Sequence, residues 1–174
     1  MAKVSFTKLG LKINQDVKSV DFNDQVIEVK QYLPISDKLE LISNVINASA
    51  DDNNFANPVK IHVFTTLEII EQYTNINFTE KQKEDPAKLF DLLGSSGLSD
   101  LILETIPEEE YAMIVNGVID SAEAVYNYRN SALGILDTVS ADYSNMNLDA
   151  TAIQQKIGDP ENLALLKQVL TKLG

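Results

Sequence analysis

The chain contains almost none of the side chains that most catalytic and metal sites require. Its 174 residues include no cysteine and no tryptophan, His62 is its single histidine, and Arg129 is its single arginine. Without cysteine the chain forms no disulfide and no thiolate metal site, and one histidine excludes histidine-rich metal sites. No residue is identifiable as a base that would activate a serine. The composition therefore argues against an enzyme and predicts no cofactor and no metal ion.

Long apolar runs are absent too, and the charge is strongly acidic. No apolar stretch approaches the roughly 18 residues that span a bilayer, and the first residues lack the apolar segment of a signal peptide. The net charge of −12 opposes binding to nucleic acid, which requires clustered Lys and Arg. A hydrophobic content of 44% is nevertheless enough for a normal core. We expect a folded protein that binds other proteins, with no membrane and no direct nucleic-acid contact.

Charge and hydrophobic spacing divide the chain into two regions. The first 30 residues contain five Lys and four acidic residues, whereas the remainder contains nine Lys or Arg and 22 acidic residues. Apolar residues alternate before Pro34 and recur at helical spacing after it. The prediction is an α+β protein, with an N-terminal antiparallel β arm or hairpin over residues 1–33 and an acidic helical domain over residues 34–174.

The predicted β region has one apolar face and one lysine face. Its apolar residues alternate with Lys3, Lys8 and Lys12, which is typical of a strand. A turn at 22–25 would join two further strands, over 17–22 and 26–33. Either the arm packs on its own helical domain, or it adds a strand to a partner's sheet. The second interpretation makes five arm residues interface candidates: Val4, Phe6, Leu9, Leu11 and Ile13.

Caps and helical spacing predict several helices after Pro34. Ser36 or Asp37 is the expected cap of the first, whose apolar stripe consists of Leu39, Ile42, Val45 and Ile46. Thr79 with Gln82 forms a capping box. Residues 59–73 favour a helix that Pro58 opens, although the β-branched run at 61–66 also allows a strand. Residues 94–97 predict a break and a candidate hinge. The other predicted helices cover residues 86–93, 99–106, 107–139, 150–157 and 160 onward.

Other motifs resemble functional sites but do not satisfy their requirements. The segments 51–55 and 145–149 resemble calcium loops, yet each lacks the glycine at the sixth position and the glutamate at the twelfth. The glycine–serine run at 94–97 lacks the lysine of a phosphate loop. The acidic run 108–110 is best explained as a helix start, where carboxylates face the positive end of the helix dipole.

A tyrosine–arginine cluster gives a second set of interface candidates. Tyr126, Tyr128 and Arg129 lie close together in an acidic stretch, and Tyr and Arg are enriched in binding hot spots. In the alternative interpretation, Arg129 is buried and pairs with Glu123 or Asp137. Both interpretations remain open at this stage.

Four segments carry a resemblance to a known group of proteins. They are residues 26–34 (VIEVKQYLP), 51–58 (DDNNFANP), 73–79 (YTNINFT) and 126–131 (YNYRNS). They resemble small virion and assembly proteins of tailed bacteriophages of Gram-positive bacteria. By its general type, short, acidic and helical after an N-terminal strand, the chain is also similar to tail assembly chaperones. The resemblance transfers no catalytic residue.

The resemblance implies a non-enzymatic structural or assembly protein. It would bind capsid, connector or tail subunits, or further copies of itself, in the host cytoplasm during assembly or in the virion. The acidic body suggests a different function, a phage-encoded inhibitor that occupies a host protein's nucleic-acid site. A third alternative, a metal- or carboxylate-dependent enzyme, would need acids that converge in a pocket, and a flat surface with scattered acids would exclude it.

Overall fold

The computed structural model describes residues 3–50 and 56–136, and in them the predicted α+β fold is confirmed. After a short 3₁₀ turn (Phe6–Leu9) come two strands, β1 (Val17–Phe22) and β2 (Gln25–Lys30), and then helices. The helices are α1 (Ile35–Ser49), α2 (Pro58–Tyr73), α3 (Glu80–Lys83), α4 (Pro86–Ser95), α5 (Leu98–Thr105) and α6 (Glu108–Arg129). The predicted calcium-like segments 51–55 and 145–149 lie outside the described residues, as do the helices predicted over 150–157 and from 160.

The chain divides into two compact units, Met1–Asn127 and Tyr128–Gly174. The first contains the hairpin, helices α1 to α5 and most of α6. Of the second, residues 128–136 are described. They comprise the end of α6, a turn and a helical stretch at 132–136.

The two strands form an antiparallel hairpin, as predicted. Val17 pairs with Lys30 and Phe22 with Gln25. The turn residues Asn23 and Asp24 have φ angles of 48° and 60°. Two successive left-handed residues match the right-handed twist of a hairpin, and Asn and Asp tolerate that conformation better than most residues.

The strand predicted for residues 4–13 is wrong. This stretch contains the 3₁₀ turn, closed by the backbone N–H of Lys8 donating to the carbonyl of Ser5 at 3.0 Å, and then Gly10 with φ 61°. A strand needs a neighbouring backbone for its hydrogen bonds, and in the described sheet β1 pairs only with β2. The alternating side chains therefore have no partner strand within the described residues.

The buried face of α1 differs from the predicted one. Of the predicted stripe, Val45 is buried and Ile42 and Ile46 are half-buried, but Leu39 is exposed. Leu41 and Lys38, outside the predicted stripe, are buried instead. The helix also begins earlier, after Pro34, without a side-chain cap from Ser36 or Asp37. The rotation follows from Lys38, whose ammonium group bonds to a carboxylate on α6.

Helix α6 is shorter than predicted and approaches α1 closely. It ends at Arg129 instead of continuing to 139, because Ser131 N–H donates at 3.0 Å to the Tyr128 carbonyl in a turn. Its buried residues are Ile114 and Val118. A Cβ added at Gly117 would lie 2.6 Å from Cδ1 of Ile42. Glycine at this position therefore lets the two helices come together.

The predicted starts of α2 and α3 are confirmed, and α2 has in addition a cap that was not predicted. The Asn57 side chain accepts from the N–H groups of Val59 and Lys60 and caps α2, with Pro58 in the first turn. Thr79 and Gln82 form the predicted capping box. The chain breaks between α4 and α5, where Gly97 has φ 75°. A hinge at this break stays a prediction.

The two glycines at the α4–α5 break should respond in opposite directions to the same substitution. A Cβ at either position meets nothing within 4 Å, but only Gly97 has a positive φ. Gly94→Ala should stabilise the fold by about 0.5 kcal/mol through helix propensity. Gly97→Ala should cost about 1 kcal/mol, because alanine resists the left-handed conformation. Urea unfolding of both variants measures this, and equal shifts of the same sign would contradict it.

Candidate functional site

The first candidate surface is the N-terminal arm, defined here as residues 3–13. All five predicted interface residues in it, Val4, Phe6, Leu9, Leu11 and Ile13, are between 53% and 74% exposed. The arm also carries Lys3, Lys8 and Lys12 and no acidic residue. Large apolar side chains that lie together on a surface mark contact sites more often than isolated ones do. The arm is therefore apolar and basic, on a protein that is acidic elsewhere.

The second candidate surface is a groove between the first half of α2 and α6, which it follows from Tyr111 to Asn127. Its volume is about 810 Å³. Among the described residues that line it, Glu123 is the only Asp, Glu, Lys or Arg. The lining residues are Ala56, Pro58, Ile61, His62, Thr65, Thr66, Tyr111, Val115, Val118, Ile119, Ala122, Glu123, Val125, Tyr126 and Asn127. The groove is thus a mainly apolar cleft with few charges.

Helical spacing on both walls produces this groove. On α6 the lining residues recur every three or four positions, as at Val115, Ile119 and Ala122, so they share one face. Pro58, Ile61 and Thr65 do the same on α2. Several of the lining side chains are small and leave the space between the helices unfilled.

A buried polar network holds the end of α6 from which the groove starts. Lys38 Nζ lies 2.8 Å from Glu110 Oε1, and the two side chains are only 3% and 12% exposed. The Tyr73 hydroxyl donates to Glu110 Oε2 at 3.0 Å, and Leu33 N–H donates to the same oxygen at 3.3 Å. Lys38 Nζ also lies 4.5 Å from the centre of the Tyr32 ring, within the range of a cation–π contact. Glu110 therefore connects α6 to α1, to α2 and to the segment before α1.

The network also affects the ionisation of Tyr73. Burial, and next the negative charge of Glu110, raise the pKa of Tyr73 well above its usual range. Both effects disfavour the phenolate, which would be buried beside a carboxylate. Tyr73 therefore remains a neutral donor to Glu110 across the physiological pH range.

The structure places the other predicted residues in different positions. Tyr126 lines the groove and is exposed, as is Tyr128, whereas Arg129 is partly buried at the end of α6. Tyr128 and Arg129 belong to the second unit, so their role at an interface stays a prediction. His62 also lines the groove and makes an edge-to-face contact with Phe90, with ring centres 5.4 Å apart.

Sequence reasoning missed the groove and the network. The position of Lys38 could have indicated the network, because it shares a helical stripe with Leu41 and Val45. A lysine on a buried apolar stripe needs a partner of opposite charge. Glu110 was hidden within an acidic run that a helix start explains on its own. The groove gave no comparable signal, because the small side chains that leave it open also occur in well-packed helices.

Comparison with known proteins adds no functional assignment. No family model matches this chain, and neither does any curated protein or solved structure. Across residues 3–50 and 56–136, no helix has the length and apolar character needed to cross a membrane. The same residues contain no group of three or more His, Cys, Asp or Glu that could hold a metal ion. The arm and the groove are accordingly the two candidate functional surfaces of the described residues.

Removing the charge of Glu110 should strongly destabilise the protein. Glu110→Gln leaves the buried Lys38 ammonium without its counter-charge, and breaking such a pair costs about 3 kcal/mol or more. The neighbouring exposed Glu109→Gln should change stability by less than about 0.5 kcal/mol. Adding Lys38→Met to Glu110→Gln should recover most of the loss. Urea unfolding measures all three, and no recovery in the double variant would contradict the pairing.

Tyr73→Phe should make stability less sensitive to alkaline pH. At neutral pH the variant should lose about 1 kcal/mol, because Glu110 loses a hydrogen-bond donor. A group whose folded pKa is raised contributes stability at low pH, and this contribution is lost as pH rises past its unfolded value of about 10. The free energy of unfolding of the wild type should therefore exceed that of Tyr73→Phe at pH 7 and lose most of this excess by about pH 10.5. Urea unfolding of both proteins at the two pH values measures this. The same stability difference between wild type and variant at both pH values would contradict it.

Proposed function

We propose that this protein is a non-enzymatic structural or assembly protein of a tailed bacteriophage. It binds capsid, connector or tail subunits through its arm and its helix faces. One observation carries the binding role, the exposure of five large apolar side chains along a basic arm. The phage setting is supported by the resemblance of the four sequence segments.

Energetics support a binding role for the arm. Moving one large apolar side chain from water into an interface contributes roughly 1.5–3 kcal/mol. Ordering the arm's backbone opposes binding by about 1–2 kcal/mol per residue. The five side chains together contribute at most about 15 kcal/mol, so a partner must bury most of them and also hydrogen-bond the arm's backbone to offset this cost.

The groove between α2 and α6 is a second surface that can bind another protein. Its lining is mainly apolar, which fits side chains of another protein better than a charged small molecule. The titratable groups that line it include His62 and Glu123, and in the described residues no hydrogen bond joins these two side chains. A general base is normally held by such a contact with an orienting group. The groove therefore favours binding over catalysis.

Purified particles should contain this protein or depend on it for assembly. The experiment compares gradient-purified virions with the infected lysate by quantitative mass spectrometry, in a phage whose genome encodes the chain. Stoichiometric amounts in the virion are expected of a structural component. Association with unfinished heads or tails is expected of an assembly factor. The proposal fails if the protein is found in neither, or if it co-purifies instead with a host nucleic-acid-binding protein in a salt-sensitive complex.

A matched pair of variants tests the arm in the same phage. Leu11 and Leu92 are similarly exposed, at 68% and 59%, but Leu11 lies in the arm and Leu92 on α4. Leu11→Asp should lower the yield of infectious particles about tenfold or more, the factor that a binding loss of about 1.4 kcal/mol gives. Leu92→Asp should leave the yield within about twofold of wild type, since a change away from the interface has little effect on binding. Equal yields would show that the arm makes no required contact.

A further inference from the structure

We infer that the arm of one copy docks in the groove between α2 and α6 of a second copy. The inference rests on the proposed protein-binding role of the arm and names its partner. It places both halves of the interface on one chain, a basic apolar arm and a mainly apolar groove. Each copy then donates an arm to one neighbour and receives an arm from another.

The apolar surfaces of the two halves are complementary. In an extended conformation successive side chains point to opposite sides, so Leu9, Leu11 and Ile13 would enter the groove together while Lys8 and Lys12 remain at its rim. The groove volume of about 810 Å³ lies within the range of protein pockets that bind small ligands, about 300–1,000 Å³. That space accommodates several large side chains of an extended segment.

The charges of the two halves are also complementary. The arm carries three lysines and no acid, while all 26 acidic residues of the chain lie outside it. The charged residue in the groove lining is Glu123, and Asp120 lies one turn before it on α6, whereas the other three acids of that helix lie in its first turn. Lys60, near the start of α2, is an exposed opposing charge, so the attraction is directed toward the α6 wall. Complementary charges of this kind accelerate association and select the partner.

A second copy fits better than the arm's own groove. Within this structure the arm and the groove belong to the same compact unit, yet the arm is exposed and the described residues that line the groove come from position 56, α2 and α6. Docking onto a neighbour is a heterologous, head-to-tail contact, which closes into a ring or extends as a filament. Rings and stacked repeats are the geometry that a phage capsid, connector or tail requires.

Engineered cysteines can test this contact without background, because the chain has no cysteine of its own. One preparation carries Leu11→Cys in the arm, and a second with a larger affinity tag carries Ala122→Cys in the groove. Under mild oxidation the mixture should give a mixed disulfide whose yield rises with protein concentration. The control replaces Ala122→Cys by Ala124→Cys, on the exposed side of the same helix. Cross-linking to position 124 as readily as to 122 would overturn the groove as the docking site.

Sedimentation velocity tests the same contact with the full chain. The wild type should associate as its concentration rises. Ala122→Arg fills the groove and repels the lysines of the arm, so it should weaken association about tenfold or more, equivalent to about 1.4 kcal/mol. Ala124→Arg adds the same charge outside the groove and should leave association unchanged. Circular dichroism and urea unfolding identify a variant that fails to fold, and in that case Glu123→Lys serves as the second groove variant.

The outcomes separate this inference from the proposed function. A chain that stays monomeric and gives no mixed disulfide, while Leu11→Asp still lowers particle yield, would show that the arm binds a different virion subunit. The self-docking inference would then fail and the proposed function would stand. A cross-link between positions 11 and 122 of a doubly substituted chain that forms independently of concentration would assign the groove to the chain's own arm. Self-association with no effect of Leu11→Asp on particles would contradict the proposed function alone.

Discussion

The attachment of α6 to the rest of the fold depends on one buried ion pair, between Lys38 on α1 and Glu110 on α6. A buried charge is costly unless it is paired and hydrogen-bonded, so these two helices can pack only where the two side chains meet. Tyr73 and the backbone of Leu33 occupy the second carboxylate oxygen. The same four groups therefore determine how α1 is rotated and where α6 begins. Replacing the pair by apolar residues could be tolerated, whereas removing one member cannot, which makes the pair a constraint on geometry more than a source of stability.

The groove forms because the Lys38–Glu110 pair holds only the first turn of α6. Glu110 holds the first turn of α6, and Gly117 lets the next turns approach α1 through Ile42. Beyond this point α6 faces the first half of α2 through side chains such as Ala122 and Thr65, which are too small to fill the gap. Incomplete packing between well-formed helices is thus the physical origin of the candidate binding surface. A protein that functions by binding others can leave such a surface open, because a partner completes the packing.

The conformation of the arm differs from the one that its sequence pattern predicted. Alternation at Val4 and Phe6, and again at Leu9, Leu11 and Ile13, indicated a strand, but the two patterns are shifted by one position. The structure has a 3₁₀ turn over Phe6–Leu9, where the shift falls, and exposed side chains on both sides of it. Alternation describes which faces a strand would have, but a strand forms only where another backbone satisfies its hydrogen bonds. The interface candidates in the arm could still be selected from sequence, since unpartnered apolar residues remain apolar in either conformation. The groove could not, because it depends on the separation of two helices distant in sequence.

The sequence by itself determined the local features of this fold. Asn23 and Asp24 specify the hairpin turn because they tolerate its left-handed backbone conformation. Asn57 caps α2, and Thr79 with Gln82 caps α3, because these side chains bond to backbone groups within a few residues of themselves. Only the tertiary structure decided which face of α1 is buried, what holds the start of α6 and where a groove remains. Lys38 and Glu110 lie 72 residues apart in the sequence. No local pattern encodes such a pairing, so the burial of a lysine and the opening of a groove follow only once the helices have packed.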